Sequence, residues 1–341
     1  MQFLLEFGLF IAKTLTLFLA VAGLIVLIFN LKRRASNTDG QLVIHNLNAE
    51  FDDLENLLRS EILPKHEYKA ELKQKKKAEK LSQKNPDQKN PEKTKPNCYL
   101  LRFDGDIRAS EIDALREIVS AILMVATPQD EVIAVVESAG GYVANYGLAA
   151  SQLKRIRDKQ IPLTVSIDKI AASGGYLMAC VADKIIAAPF AIVGSIGVVA
   201  QLPNLHRFLN KHDIDIELHT AGQYKRTLTM LGENTEEGRQ KFIEELNLTH
   251  TLFKDFVQAH RPGLNMDKIA TGEHWHANAA IHLGLVDCLQ TSDDYIRSKH
   301  PAYQIFEVDY EIKQPLIERL GLHLSQGLFN VWSKLNQNLV K

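Results

Sequence analysis

After Pro96 the chain alternates short apolar runs with amphipathic stretches, and this alternation restricts it to few fold classes. The apolar runs are Tyr99–Phe103, Val132–Val136, Leu163–Ile167 and Ile185–Ala188. The amphipathic stretches between them are Ala109–Leu123, Ala144–Ile156 and Gly175–Ala182. Buried parallel strands have continuous apolar sequences, and each pair needs a crossover that is usually a helix. The sequence therefore predicts an α/β fold with a parallel sheet and helices on its faces.

Two longer helices are predicted further along the chain. Asn234–His260 has helical periodicity, Thr235 is a suitable N-cap, and the two glutamates that follow suit the positive end of a helix. Residues 313–341 are predicted to form a separate amphipathic C-terminal helix.

The N-terminus is apolar from Phe3 to Phe29, interrupted by Glu6 and Lys13. A transmembrane helix needs roughly 20 apolar residues, and this segment reaches that length if Lys13 snorkels or is paired. A cleaved signal peptide is the alternative, but the basic region that precedes its apolar part is missing. Residues 1–31 are therefore predicted to be a membrane anchor.

Residues 32–97 are predicted to be a helical and lysine-rich connector. Leucine, isoleucine and phenylalanine recur at helical spacing between Leu47 and Ile62. Between Lys65 and Lys95 there are eleven lysines and five acidic residues. This tract is either a solvated, self-repelling connector or a surface for anionic lipid headgroups. The near absence of aromatic residues argues against nucleic acid as a partner.

The three cysteines, Cys98, Cys180 and Cys288, have no spacing typical of a metal site, and their number is odd. A disulfide framework and a zinc site are therefore not expected. No P-loop sequence is present either, so the chain is expected to need neither a metal nor a nucleotide cofactor.

A serine and a lysine form the candidate catalytic pair. Ser173 lies in a turn of small residues that leads into an apolar helix, and Lys225 follows 52 residues later. Serine needs a base to act as a nucleophile, and a lysine amine serves as that base only when it is neutral. A solvated lysine titrates near 10.4, so a working one must be desolvated.

Glycines near the candidate nucleophile suit an oxyanion site. A tetrahedral intermediate needs hydrogen-bond donors on its negatively charged oxygen. The N–H of Gly174 is one candidate donor, and Gly140-Gly141, after a predicted strand, is expected to supply another. Glycine permits the positive φ and the close backbone approach that such a site needs.

Five separated segments resemble the signal peptide peptidase A family of Ser–Lys membrane proteases, and the N-terminal region is most similar to its SohB-type members. The segments begin at Glu137, Ala171, Gly194, Gly222 and Gly284; they read ESAGG, AASGGY, GSIGV, GQYK and GLVD. The fold implied for residues 98–312 is the repeated ββα fold of Clp proteases and crotonases, here as a Ser–Lys peptidase domain. One departure from the family pattern is Ala139, where a proline is common.

The resemblance also implies roles for individual residues. Ser173 would be the nucleophile, Lys225 the general base and then the general acid, and Ser195 the hydroxyl that orients the lysine amine. Peptides or unfolded membrane and exported chains, including remnant signal peptides, would be the substrates of a homo-oligomer without a cofactor. The catalytic domain would be periplasmic on a bacterial inner membrane, although the basic cluster Lys32-Arg33-Arg34 favours a cytoplasmic flank.

Two other functions fit the same fold. A crotonase-like enzyme would act on acyl-CoA thioesters with carboxylates beside the oxyanion glycines and would need no Ser–Lys pair. A non-catalytic membrane scaffold would bind chains in the groove without cleaving them.

Overall fold

The computed structural model describes residues 13–16, 18, 40–83 and 95–312. The chain divides into two compact units, one of residues 1–43 with 310–341 and one of residues 44–309. Among the described residues, no helix combines the length and the apolar character that a membrane crossing requires. Most of the predicted anchor and the whole of the predicted C-terminal helix lie outside the described residues.

Strands and helices alternate through most of the described chain. The strands are β1 (Gly40–Asn46), β2 (Asn97–Gly105), β3 (Glu131–Ser138), β4 (Leu163–Ile167), β5 (Ile170–Ala172), β6 (Lys184–Ala187), β7 (Ile192–Gly194), β8 (His274–His276), β9 (Cys288–Leu289) and β10 (Gln304–Ile312). The helices are α1 (Leu47–Ile62), α2 (Lys65–Gln83), α3 (Ile112–Val125), α4 (Val143–Asp158), α5 (Gly174–Ala179), α6 (His206–Lys211), α7 (Glu236–His260), α8 (Met266–Ile269), α9 (Ala277–Ala280) and α10 (Ser292–Lys299). A 3₁₀ turn at Ile281–Leu283 follows α9.

The strands form one sheet in the order β1-β10-β2-β3-β4-β6-β9, and β5, β7 and β8 extend it beyond β3. The pairs from β10 to β9 along this order are parallel, whereas β7 and β8 are antiparallel. Almost every residue of β3 is buried, and β4 is buried throughout, because helices and neighbouring strands cover both faces. The predicted parallel α/β sheet and its four principal strands are therefore confirmed.

The short strand β5 places the candidate nucleophile at the edge of this sheet. β5 pairs with the last residue of β3 through Ser138 and Ala171, and with β7 through Ala172 and Gly194. The chain therefore leaves β3, β5 and β7 at neighbouring positions. The turns after these three strands contain the glycines and serines singled out in the sequence.

Helix α1 is fixed to the sheet by one asparagine. The Asn48 side chain donates to the Tyr303 carbonyl at 3.0 Å and accepts from the Ile305 N–H at 2.6 Å. Leu47 packs in the cluster of buried residues that also contains Cys98 and Ile305. The first residues of α1 are therefore packed against the sheet. The first part of the lysine-rich tract forms α2.

Candidate functional site

Ser173 lies in the sharp turn between β5 and α5. Its backbone has φ 51° and ψ −116°, a conformation that residues other than glycine rarely adopt. Its N–H donates to the Gly194 carbonyl at 2.8 Å, which holds the turn against the end of β7. The turn thus presents the Ser173 side chain at the start of a helix, and the flanking structure holds the strained backbone in place.

The Gly140-Gly141 turn after β3 lies against Ser173. Gly140 has φ 90°, and a Cβ added there would lie 2.7 Å from the Gly174 nitrogen and 2.8 Å from the Ser173 Cβ. A Cβ on Gly141 would collide with the carbonyl of Ile107. Both positions therefore require glycine, because backbone approaches backbone beside the candidate nucleophile.

The hydrogen bonds around these glycines separate the possible oxyanion donors. The Gly140 N–H already donates to the Ser138 Oγ at 3.0 Å. The Gly141 N–H has no acceptor among the described residues, and Gly174 is the first residue of α5, where an N–H has no acceptor within the helix. The available donors are therefore Gly141 and Gly174, whereas Gly140 provides the close approach and not a donor.

Ser195 occupies a position equivalent to that of Ser173 on the neighbouring strand. Ala172 and Gly194 are partners in the β5–β7 register, so each serine directly follows a paired residue. Ser195 has φ 53°, and its N–H donates to the Glu273 carbonyl at 2.6 Å. Both serines line one cavity of about 620 Å³, together with Gly140 and Gly141.

Lys225 lies apart from these residues. It is exposed, in the stretch 212–235 between α6 and α7, where the structure has neither helix nor strand. Its N–H donates to the Gly222 carbonyl at 3.2 Å, and its side chain does not line the cavities beside Ser173. The structure thus brings Ser173, Ser195 and the three glycines together but does not bring Lys225 to them.

A second, apolar cavity of about 260 Å³ opens beside the first and shares Ser173 and Gly141 with it. Leu252, Phe253 and Phe256 of α7 form part of its lining. Sequence reasoning assigned α7 as a helix but missed its role as a wall of the site. The apolar side chains at this spacing look the same in a sequence whether they face a core or a cavity.

His250, also on α7, lines the larger cavity with the two serines. Its Nε2 atom is buried and has no hydrogen-bond partner among the described residues. An unpaired buried polar atom costs about 1–3 kcal/mol, so its presence at a cavity wall is of functional interest.

An ion pair fastens the C-terminal end of α7 to the sheet. Arg261 contacts both carboxylate oxygens of Asp287, at 2.6 and 2.9 Å, and Asp287 also accepts from the Ile185 N–H at 2.7 Å. Burial alone would raise the pKa of Asp287, but the hydrogen bonds from Arg261 and Ile185 together lower it. This pair keeps in place the helix that forms one wall of both cavities.

The two histidines on β8 serve as packing and surface residues in this structure. His274 and His276 are exposed, and His276 Nδ1 lies 2.9 Å from the Phe190 carbonyl oxygen. Trp275 between them packs against Gly194, where an added Cβ would lie 2.7 Å from the indole ring. Within the described residues, no group of three or more His, Cys, Asp or Glu side chains has the arrangement of a metal site.

Comparison with known families identifies the chain. The family model described as peptidase family S49 matches residues 155–305, and its N-terminal companion, peptidase family S49 N-terminal, matches residues 2–153. The chain belongs to peptidase family S49. The match covers the cavities, Ser173, Ser195 and Lys225, and it makes the protein a peptidase by family.

Relatives within this S49 family include proteins named as probable protease SohB. The protein of that name from Haemophilus influenzae is 50% identical over 335 residues, covering 95% of this chain and 94% of that protein. Its counterpart from Buchnera aphidicola subsp. Schlechtendalia chinensis is 46% identical and is covered in full. The chain is therefore a SohB-type S49 peptidase, with relatives in bacteria.

Solved structures overlap with this S49 peptidase less extensively. The 1510-N membrane-bound stomatin-specific protease is 13% identical, with a TM-score of 0.40 over 60% of this chain and 86% of that one. A ClpP1 from Listeria monocytogenes is 12% identical, with a TM-score of 0.37 over 59% of this chain and 94% of that one.

Proposed function

We propose that this S49 peptidase is a membrane-anchored serine endopeptidase in which Ser173 is the nucleophile and Lys225 the general base. The observation that carries the proposal is the position of Ser173. It lies on a strained turn where the two cavities meet, beside the N–H groups of Gly141 and Gly174, which have no acceptor among the described residues. A nucleophile, oxyanion donors and a cleft for a substrate side chain are the parts that acyl transfer requires.

The proposed reaction has two stages. The Ser173 Oγ attacks the scissile carbonyl while its proton passes to the neutral Lys225 amine, and the Gly141 and Gly174 N–H groups bind the resulting oxyanion. The intermediate collapses to an acyl-enzyme when the lysine gives that proton to the leaving amine. Water then attacks the ester while the same lysine takes its proton. The lysine returns that proton to the Ser173 Oγ as the C–O bond breaks, which releases the second product and restores the serine. Ser195 would accept a hydrogen bond from the lysine amine and orient it.

This mechanism requires Lys225 to leave solvent and enter the cavity. The stretch that contains it exposes several apolar side chains, including Ile214, Leu218 and Tyr224, each 46–52% accessible. Exposed apolar groups in one stretch favour contact with another surface. In the homo-oligomer implied by the family resemblance, we expect a neighbouring copy to cover this stretch and desolvate the amine.

The apolar cavity indicates the substrate class. Its lining by Val143, Leu177 and the α7 residues suits an apolar side chain of an extended peptide, whose backbone would pass Ser173. Because such a chain must be unfolded to enter, we expect peptides or unfolded membrane and exported chains as substrates. Anchoring by residues 1–31 would hold the enzyme at a bacterial inner membrane.

The proposal can be tested with the full chain in detergent micelles. A fluorophosphonate probe should label the wild-type protein, fail to label Ser173→Ala, and label Lys225→Ala at least 100-fold more slowly. Lys211→Ala, which removes another exposed lysine, the last residue of α6, should be labelled at the wild-type rate. Cleavage should also become faster as pH rises, because a lysine acts as a base only when neutral.

Two results would contradict the proposed chemistry. Undiminished labelling of Ser173→Ala would place the nucleophile elsewhere, and unchanged peptide cleavage by Lys225→Ala would exclude the lysine base. If wild type cleaves and Ser173→Ala does not, digestion of a peptide library by the two proteins in parallel defines the cleavage preference. Large apolar residues are expected next to the cut.

A further inference from the structure

A buried pair of hydroxyl groups lies directly beneath the Gly140-Gly141 turn. The Ser138 Oγ accepts the Gly140 N–H at 3.0 Å and lies 2.9 Å from the Gly105 carbonyl oxygen. The same Oγ contacts the Tyr146 hydroxyl, which donates to the Asp106 carbonyl at 2.6 Å. The glycine turn is thus joined through two side chains to the end of β2.

Both side chains are shielded from solvent. Tyr146 is 0% exposed and Ser138 is 2% exposed. Burial raises the pKa of the Tyr146 phenol, so it remains a hydrogen-bond donor throughout the working pH range. A buried network whose members are all satisfied fixes its own geometry, because each broken contact leaves a polar group unpaired.

The same two residues also contact the start of α5. A Cβ on Gly174 would lie 2.7 Å from the Tyr146 Cβ, and a Cβ on Gly175 would lie 2.5 Å from the Ser138 carbonyl oxygen. The Tyr146 ring and the Ser138 backbone therefore form the surface on which the first turn of α5 rests. One pair of residues touches both structural elements that hold the free N–H donors.

We propose that Ser138 and Tyr146 are positioning residues that align the two oxyanion donors, the N–H groups of Gly141 and Gly174. Ser138 binds the Gly140 N–H, and this bond turns the Gly141 N–H toward the cavity. Tyr146 holds Ser138 and supports Gly174, so that the two donors converge on one point. The inference rests on the proposed serine peptidase function and adds to it residues that do not touch the substrate.

This arrangement has a kinetic consequence. Oxyanion donors act on charge that develops in the transition state, and loss of one donor lowers kcat by roughly 10²–10³-fold. Misalignment of donors that remain present should have a smaller effect. Ser138→Ala and Tyr146→Phe should therefore lower kcat by about 10–100-fold and change KM by less than threefold.

The test compares binding of a transition-state analogue with binding of the substrate. A peptide aldehyde forms a hemiacetal with Ser173 and places an oxygen among the donors, whereas the matched peptide does not. Each variant should lose affinity for the aldehyde by the same factor as its kcat. Affinity for the matched peptide, measured by fluorescence anisotropy with the Ser173→Ala change added, should stay within threefold of the parent.

Two control variants remove buried hydroxyls outside this network. Ser166→Ala on β4 deletes a buried Oγ without a described partner, and Tyr295→Phe deletes a buried hydroxyl that donates to Glu131. Neither should change kcat by more than twofold. Ser138→Cys retains an atom in the place of the Oγ, although sulfur is larger and forms weaker hydrogen bonds. It should give an intermediate kcat even if Ser138→Ala folds poorly.

The outcomes separate this inference from the proposed function. Equal losses of aldehyde and peptide affinity, or an increase in KM with unchanged kcat, would overturn the positioning role. Wild-type kcat in all three variants would also overturn it while Ser173→Ala remains inactive. If the wild-type protein neither cleaves peptides nor reacts with the probe, the proposed function itself fails.

Discussion

The strained backbone of Ser173 predicts an unusual effect of substitution on stability. A residue other than glycine in a sparsely populated region of φ and ψ costs about 1–3 kcal/mol. Glycine adopts φ 51° without that cost but loses about 0.5–1 kcal/mol through its greater freedom in the unfolded chain. Ser173→Gly should therefore be more stable than Ser173→Ala by about 1 kcal/mol, the difference between the central values, since both lack the hydroxyl and only alanine keeps the Cβ.

Thermal unfolding of the full chain, followed by tryptophan fluorescence, measures this difference. For a domain of this size, one kcal/mol shifts Tm by about 2–4 °C. Ser166 is a matched control because it lies in β4 and is not among the positive-φ residues. There the order should be reversed, with the glycine variant less stable than the alanine variant. A Ser173→Gly variant that melts at or below the temperature of Ser173→Ala would show that the turn stores no strain.

Three further predictions concern α7 and the cavities. The pKa of the Asp287 carboxyl is lower in the folded protein than in the unfolded chain. Its contribution to stability is therefore present above the unfolded pKa and is lost as pH falls through the folded pKa. Asp287→Asn should flatten the acid side of a Tm–pH profile. His250→Phe should raise Tm by removing an unpaired buried nitrogen, as thermal unfolding of the two proteins side by side will show. Gly147→Val meets no atom within 4 Å at its Cβ, so it should fold normally but lower kcat/KM for large apolar side chains at least tenfold relative to alanine substrates.

The sheet could be predicted from the sequence because its strands are buried on both faces. Runs such as Val132–Val136 and Leu163–Ile167 are short and mostly apolar, which is typical of strands in the interior of a parallel sheet. The structure has both runs as strands. The N-cap at Thr235 was equally readable, and its Oγ1 accepts the Gly238 N–H.

Other parts of the site depend on contacts that a sequence does not show. β5 and β7 have three residues each, too few to display a pattern, yet their register brings Ser195 beside Ser173. The Tyr146 hydroxyl reaches Asp106, 40 positions earlier, only because α4 packs on the end of β2. Lys225 lies in a stretch without helix or strand, so no local sequence pattern indicates how far it lies from the cavity.

The anchoring of α1 by Asn48 has a practical consequence for where the chain can be cut. The sequence suggests that a catalytic fragment could begin at Cys98, after the lysine-rich tract. Such a fragment would lack Leu47 and Asn48, so the Ile305 N–H would lose its acceptor and β10 would lose β1 as its neighbour. An uncovered sheet edge invites aggregation. Soluble fragments for crystallisation should therefore start before Gly40.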